Sequence, residues 1–202
     1  MRASAETSFR FSVIFGGRSV EFGKEKVVPP RRSTGAYDPR GPKGYSTTET
    51  GRMQQRLIGK DYYRQKGDRW FQFRTSPTDS LIDDVDNTGL LNPLATVEFV
   101  DQFAALKKAG TVTKTSATSY AFGFAWKPGT PDRPAVIPVA GTIQVDPKSG
   151  LVTAMSYDYT LAHPKGDADA KFYNTVRWTY SGHGLPVDVK VPAHVTKLLP
   201  RK

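Results

Sequence analysis

Residues 51–73, GRMQQRLIGKDYYRQKGDRWFQF, alternate at period two between glycine-marked breaks. Met53, Gln55 and Leu57 point one way, and Gln54, Arg56 and Ile58 the other. Gly59-Lys60-Asp61 interrupts the run, residues 62–65 resume it, Lys66-Gly67-Asp68 interrupts it again, and residues 70–73 follow. Such alternation specifies half-buried strands, and glycine or aspartate in the breaks specifies tight turns. The pattern therefore predicts three short antiparallel strands here.

The same alternation recurs along the chain. Phe9, Phe11, Val13 and Phe15 share one face of a first strand. Gly16-Gly17 is a hairpin signal, with residues 18–28 returning as a second strand. Tyr120, Phe122, Phe124 and Trp126 share a face, as do Ile137, Val139, Ile143 and Val145. Residues 146–150, DPKSG, read as a turn. Leu151, Met155, Tyr157, Tyr159 and Leu161 follow, then Phe172, Val176, Trp178 and Tyr180. Residues 181–184 turn the chain into a last strand at 185–191, closed by Pro192, with 193–202 as a tail. Residues 29–45, PPRRSTGAYDPRGPKGY, lack donors at the prolines and predict a long mobile basic loop.

One segment departs from period two. Leu90, Leu91, Leu94, Val97, Phe99, Val100, Phe103, Ala104 and Leu106 form an apolar stripe at helical spacing. Asn92 suits the N-cap, Pro93 the first turn and Gly110 the stop. The prediction is a helix over about 92–109, with a short turn at 81–85 before it. About ten strands in a meander with one amphipathic helix predict a mainly β (α+β) single domain over 1–202. Its antiparallel sheet would curl around the helix and leave an apolar cavity.

Composition narrows the chemistry. The chain has no cysteine, which removes disulfides and thiolate metal sites. Residues 18–74 hold 14 Lys/Arg against 6 Asp/Glu, so +8 of the net +10. Such a concentration attracts an anionic membrane surface, an anionic ligand or nucleic acid, or serves as a solvated face. Arg64, Lys66, Arg69, Trp70 and Arg74 fit single-stranded nucleic-acid binding only loosely, so nucleic acid is not the expected partner. His163, His183 and His194 lack metal-ligand spacing with one another, and no metal is expected. Asp83, Asp84 and Asp86 read as acids before a helix N-terminus. No phosphate loop, nucleophile elbow or dinucleotide fingerprint occurs, and no cofactor is expected.

Residues 7–11 (TSFRF), Leu57-Ile58-Gly59 to Tyr62-Tyr63, and Gly67-Asp68-Arg69-Trp70 resemble the bacterial lipoprotein-carrier superfamily in its actinobacterial branch. So do Val145-Asp146 with Gly150-Leu151, residues 179–187 (TYSGHGLPV), and the Val191-Pro192 stop. These are the LolA-like carriers and the LppX/LprG-type envelope lipoproteins. The resemblance spans about residues 7–192 and implies a half-barrel around an apolar cavity. It also implies binding of acyl chains or lipidated molecules in the cell envelope, outside the cytoplasm. The chain shows neither an export signal nor a lipobox cysteine.

The expected function is non-enzymatic binding or carriage of lipid-like ligands. The cavity candidates are Phe11, Val13, Leu57, Tyr63, Phe71, Leu94, Phe99, Phe103, Tyr120, Phe122, Phe124, Ile143, Met155, Tyr157, Val176 and Trp178. Arg31, Arg32, Arg40 and Lys43 are the candidates for anionic head groups, on a membrane surface or on the ligand. The alternative is an envelope sensor module that contacts another envelope protein. A weaker one is an enzyme on a hydrophobic substrate using Asp83, Asp84 or His183.

Overall fold

The computed structural model describes residues 6–51, 54–59, 61–74, 110–126, 137–162 and 171–197. Every regular element among them is a strand. They are β1 (Phe9–Glu21), β2 (Lys24–Asp38), β3 (Lys43–Thr48), β4 (Gln54–Ile58), β5 (Asp61–Lys66), β6 (Arg69–Arg74), β7 (Thr111–Lys114), β8 (Ser119–Trp126), β9 (Ile137–Val145), β10 (Val152–Ala162), β11 (Lys171–Ser181) and β12 (Val195–Lys197). They pair in the order β12-β6-β5-β4-β3-β2-β1-β11-β10-β9-β8-β7.

This order corrects the helix-wrapped half-barrel. The described residues form an all-β ladder without a helix, and its two terminal strands, β7 and β12, do not pair with each other. The ladder is open. The expected helix at 92–109 and the turn at 81–85 lie outside the described residues.

Three local expectations change as well. Residues 29–45 are not a loop: β2 runs to Asp38, a turn spans 39–42, and β3 returns from Lys43. Pro29 and Pro30 are tolerated because β2 pairs with β3 only from Ser33 onward. The proline stretch thus has a side that needs no ladder donor. The first hairpin turns at Phe22-Gly23, not at Gly16-Gly17. Gly17 lies inside β1, where a Cβ would fall on the Tyr173 carbonyl oxygen. Finally, residues 185–191 form no strand, and the tail instead adds β12 parallel to β6 through Val195↔Trp70.

The chain divides into two compact units, bounded by Met1–Val13, Arg32–Phe99 and Tyr180–Lys202 in the first and by Ile14–Arg31 and Val100–Thr179 in the second. In the first unit the register Tyr37↔Gly44↔Leu57↔Tyr62 puts the buried Tyr37, Leu57 and Tyr62 on one face. Phe9 packs on this cluster, 5.9 Å from Tyr37 and 5.4 Å from Tyr180 between ring centres. Gly35 admits the Phe11 ring, whose Cζ lies 2.5 Å from where a Cβ would sit.

In the second unit, β8–β11 align in rows. Tyr120↔Ile143↔Met155↔Trp178 is one, and Phe122↔Gly141↔Tyr157↔Val176 the next. A third row is Phe124↔Val139↔Tyr159↔Asn174. Residues directly opposite share a face, so these rows are one apolar wall. The turn into β10 is set by Asp146. Its carboxylate accepts from Lys148 N at 3.0 Å and Ser149 Oγ at 2.7 Å, and Gly150 takes φ 70°.

Candidate functional site

The wall of the second unit is the best-formed apolar surface. Ile143 (0% exposed), Val176 and Met155 are buried at its centre, with Phe122, Val139, Tyr159 and Trp178 beside them. Gly141 makes room for Phe122, whose Cζ lies 2.8 Å from the position of an added Cβ. The Phe122 and Phe124 rings stack at 6.2 Å. Tyr157 and Tyr159 stack likewise at 6.2 Å.

Burial pushes the Tyr157 hydroxyl up to about 12, opposed in part by the nearby Trp178 side chain. Tyr159 is raised further, by burial and then by its proximity to Tyr157. Both phenols therefore stay neutral at any physiological pH, and the wall carries no charge from them.

Cover thins toward the end of the ladder. Tyr120 and Phe124 are half-buried, and Val112 on β7, opposite Phe122, is 40% exposed. Val112, Tyr120 and Phe124 thus continue the buried wall as an accessible apolar strip.

The opposite face of the same strands is polar. Thr142 and Ser156 hydroxyls lie 3.0 Å apart, and Ser119 Oγ donates to Gln144 Oε1 at 2.9 Å. An open cleft of ≈ 320 Å³ lies among Pro138, Ala140, Asp158, Thr160, Tyr173 and Thr175. Thr175 Oγ1 donates to Asp158 at 2.6 Å, and the Arg18 guanidinium sits 4.1 Å over the Tyr173 ring while pairing with Glu25 at 2.8 Å. The cleft's carboxylate is thus already engaged by Thr175, and the cation over its Tyr173 ring by Glu25.

The first unit carries a polar clamp. Asp38 accepts from Arg40 Nε at 2.9 Å, Arg40 Nη2 at 3.0 Å and Arg40 N at 3.1 Å. Arg40 also reaches Ser8 Oγ at 3.4 Å, and Ser8 Oγ donates to the Leu185 carbonyl at 2.7 Å. The Arg40 hydrogen bonds hold the Asp38 carboxyl below its ordinary range.

Register sorts the remaining candidates. Phe11 and Val13 are buried in β1. Leu57 faces Tyr62, which puts Tyr63 on the other face, with Arg56. Tyr63 is buried there, and its hydroxyl is raised by burial and then by Asp61. Arg56 stacks 4.7 Å over Trp70 and donates to the Lys190 carbonyl at 2.7 Å. Phe71 is half-buried opposite Arg64. Leu94, Phe99, Phe103, Asp83, Asp84, Asp86 and His163 lie outside the described residues.

Of the cations expected at head groups, Arg31 and Arg32 are exposed on β2. Arg40 is committed to Asp38, and Lys43 is half-buried in β3 opposite Asp38. His183 lies in a turn and His194 at φ 55°. Among the described residues no three His, Asp or Glu gather where they could hold a metal. Tyr62, Tyr159 and Val112 belong to these faces but are not among the cavity candidates, although the alternation already placed Tyr159 beside Met155 and Tyr157. Tyr62 faces Leu57 because Asp61, read from the sequence as part of the break, already pairs with Ile58.

No family model matches the chain, and no curated protein matches it. A solved structure on lipid–protein interactions in lipovitellin is similar at 8% identity and a TM-score of 0.32. The likeness covers 92% of this chain and 26% of that one, so the chain spans about a quarter of the structure it matches. A likeness this slight settles neither family nor function. The expected membership of the LolA-like and LppX/LprG-type carriers is not upheld. No family model supports it, and the strands form an open ladder where that family implies a half-barrel.

Proposed function

We propose that the protein is a non-enzymatic binder of lipid-like molecules, which it holds against the apolar wall of β7–β11. The observation that carries this reading is the accessible strip of Val112, Tyr120 and Phe124, continuous with the buried rows behind it. An acyl chain needs only apolar contact. Each methylene removed from water contributes about 0.8 kcal/mol, so about ten contribute about 8 kcal/mol before the cost of association. The neutral tyrosines of the wall add hydroxyls without adding charge.

The same reading assigns the protein to the cell envelope, where acyl-chain ligands are abundant; cell fractionation tests that assignment. Native mass spectrometry before and after organic extraction tests the binding itself. The expected result is a retained lipid, or stoichiometric uptake of an added fatty acid after extraction. A protein that retains none and takes up none contradicts the proposal.

A further inference from the structure

The β1–β2 hairpin ends in a tip that the fold itself does not explain. Phe22 and Gly23 form a two-residue turn with φ of 51° and 73°. Positive φ at both central positions is the type I′ geometry, which Asn, Asp and Gly adopt readily. A bulky aromatic there is strained by the contact of its Cβ with the backbone. Phe22 receives no packing in return, since it is 72% exposed. Every residue from Glu21 to Val27 is exposed, and a Cβ at Gly23 would meet nothing within 4 Å. Val27, on the returning strand, is 70% exposed.

The charges around these apolar side chains are mostly basic. Arg18 and Glu25 pair with each other, which leaves Glu21 against Lys24 and Lys26. A strained, exposed aromatic is a cost that water does not repay, whereas a lipid interface does. Phenylalanine rings are buried at the boundary between head groups and acyl chains, and lysines extend alongside them to the phosphates.

We propose that the tip of the β1–β2 hairpin docks on a lipid bilayer, with Phe22 and Val27 entering the interface and Lys24 and Lys26 contacting anionic head groups. This rests on the lipid-binding reading and adds to it the surface from which the ligand is taken or to which it is delivered. It replaces the expected basic loop with a defined apolar point.

Co-sedimentation with phosphatidylcholine vesicles, and with vesicles that also contain phosphatidylglycerol, tests the docking on the full chain. The wild type should bind both, more tightly when phosphatidylglycerol is present. Phe22→Asn removes the ring and suits the left-handed turn, so it should weaken binding about tenfold or more without lowering the Tm. Val27→Thr should weaken binding to both kinds of vesicle. Lys24→Ser and Lys26→Ser should each cost about fivefold, on the anionic vesicles only.

Three outcomes overturn the docking: no sedimentation of the wild type, unchanged binding by Phe22→Asn, or a Phe22→Asn variant that loses binding together with stability. Uptake of a fluorescent fatty acid without vesicles separates the two proposals. Uptake with Phe22-independent vesicle binding rejects the docking alone. Phe22-dependent vesicle binding without uptake rejects the lipid-holding wall alone.

Discussion

The face formed by β8–β11 buries Val139, Ile143, Met155 and Val176, whereas the face formed by β2–β5 buries Ser33, Ser46 and Gln55 beside Tyr37 and Leu57. Both faces make space for an aromatic ring with a glycine, Gly141 for Phe122 and Gly35 for Phe11. Their interiors otherwise differ in kind. Apart from Asn174, which donates to the Phe172 carbonyl at 3.3 Å, the first is held by apolar burial, which is nondirectional and scales with area. The second places polar side chains where their worth depends on partners. Ser46 Oγ donates to Gln55 Oε1 at a long 3.4 Å, and Ser33 Oγ has no partner among the described residues. A wall of the first kind can take an apolar ligand without loss. A wall of the second kind cannot, because buried polar groups must keep their hydrogen bonds.

Substitution of the two glycines should give the largest effect. A Cβ at Gly141 would fall on the Ser156 carbonyl and one at Gly35 on the Tyr45 carbonyl. Gly141→Val and Gly35→Val should each cost at least about 3 kcal/mol in urea unfolding. Near-neutral behaviour at either would show that its sheet relaxes freely. Next, Ile143→Ala should cost about 2–5 kcal/mol, whereas Gln55→Ala should cost about 1 kcal/mol. Equal losses would erase the contrast between the faces.

Acid sharpens it from the polar side. Asp38 has its folded pKa depressed below the ordinary 3.8, first by the side-chain hydrogen bonds of Arg40. Its contribution is present above the unfolded value and is lost as pH falls through the folded one. The Tm of the wild type should therefore fall more steeply below about pH 4 than that of Asp38→Asn. Parallel curves would show that the Asp38–Arg40 pair contributes nothing. The smallest effect belongs to Ser33→Ala. It removes a buried hydroxyl without a partner and should raise stability by up to about 1 kcal/mol. A loss of stability would reveal a bond to that hydroxyl.

The alternation in β8–β11 was readable because, Gly141 and Asn174 apart, the side chains of its inward rows are large and apolar, so the face they share is unambiguous. The β4–β6 strands were readable for their glycine turns, with Gly59 and Gly67 at φ 61° and 60°. Which residues shared a face there was less so, since Tyr62 and Tyr63 are equally aromatic and only the pairing with Leu57 distinguishes them. Residues up to Val28 read as a strand, but the rest of β2 was hidden by Pro29, Pro30 and Gly35. Those residues argue against a strand with neighbours on both sides, and the proline stretch has a β3 partner only from Ser33 onward. Strand β12 was hidden because a three-residue parallel pairing leaves no periodic signal. The tip at Phe22 was obscured by the stronger glycine pair at 16–17, of which Gly17 serves a close approach to β11 rather than a turn.

The wall of β7–β11 is most directly tested by placing one charge on either face of the same strands. Phe124 lies on the apolar face and the exposed Thr142 on the polar one. Uptake of a fluorescent fatty acid should fall about tenfold or more in Phe124→Lys, because the ammonium would lose water against the ligand. Thr142→Lys should bind as the wild type does. Equal uptake by Phe124→Lys and the wild type, or equal loss in both variants, would contradict an apolar wall as the place where the ligand is held.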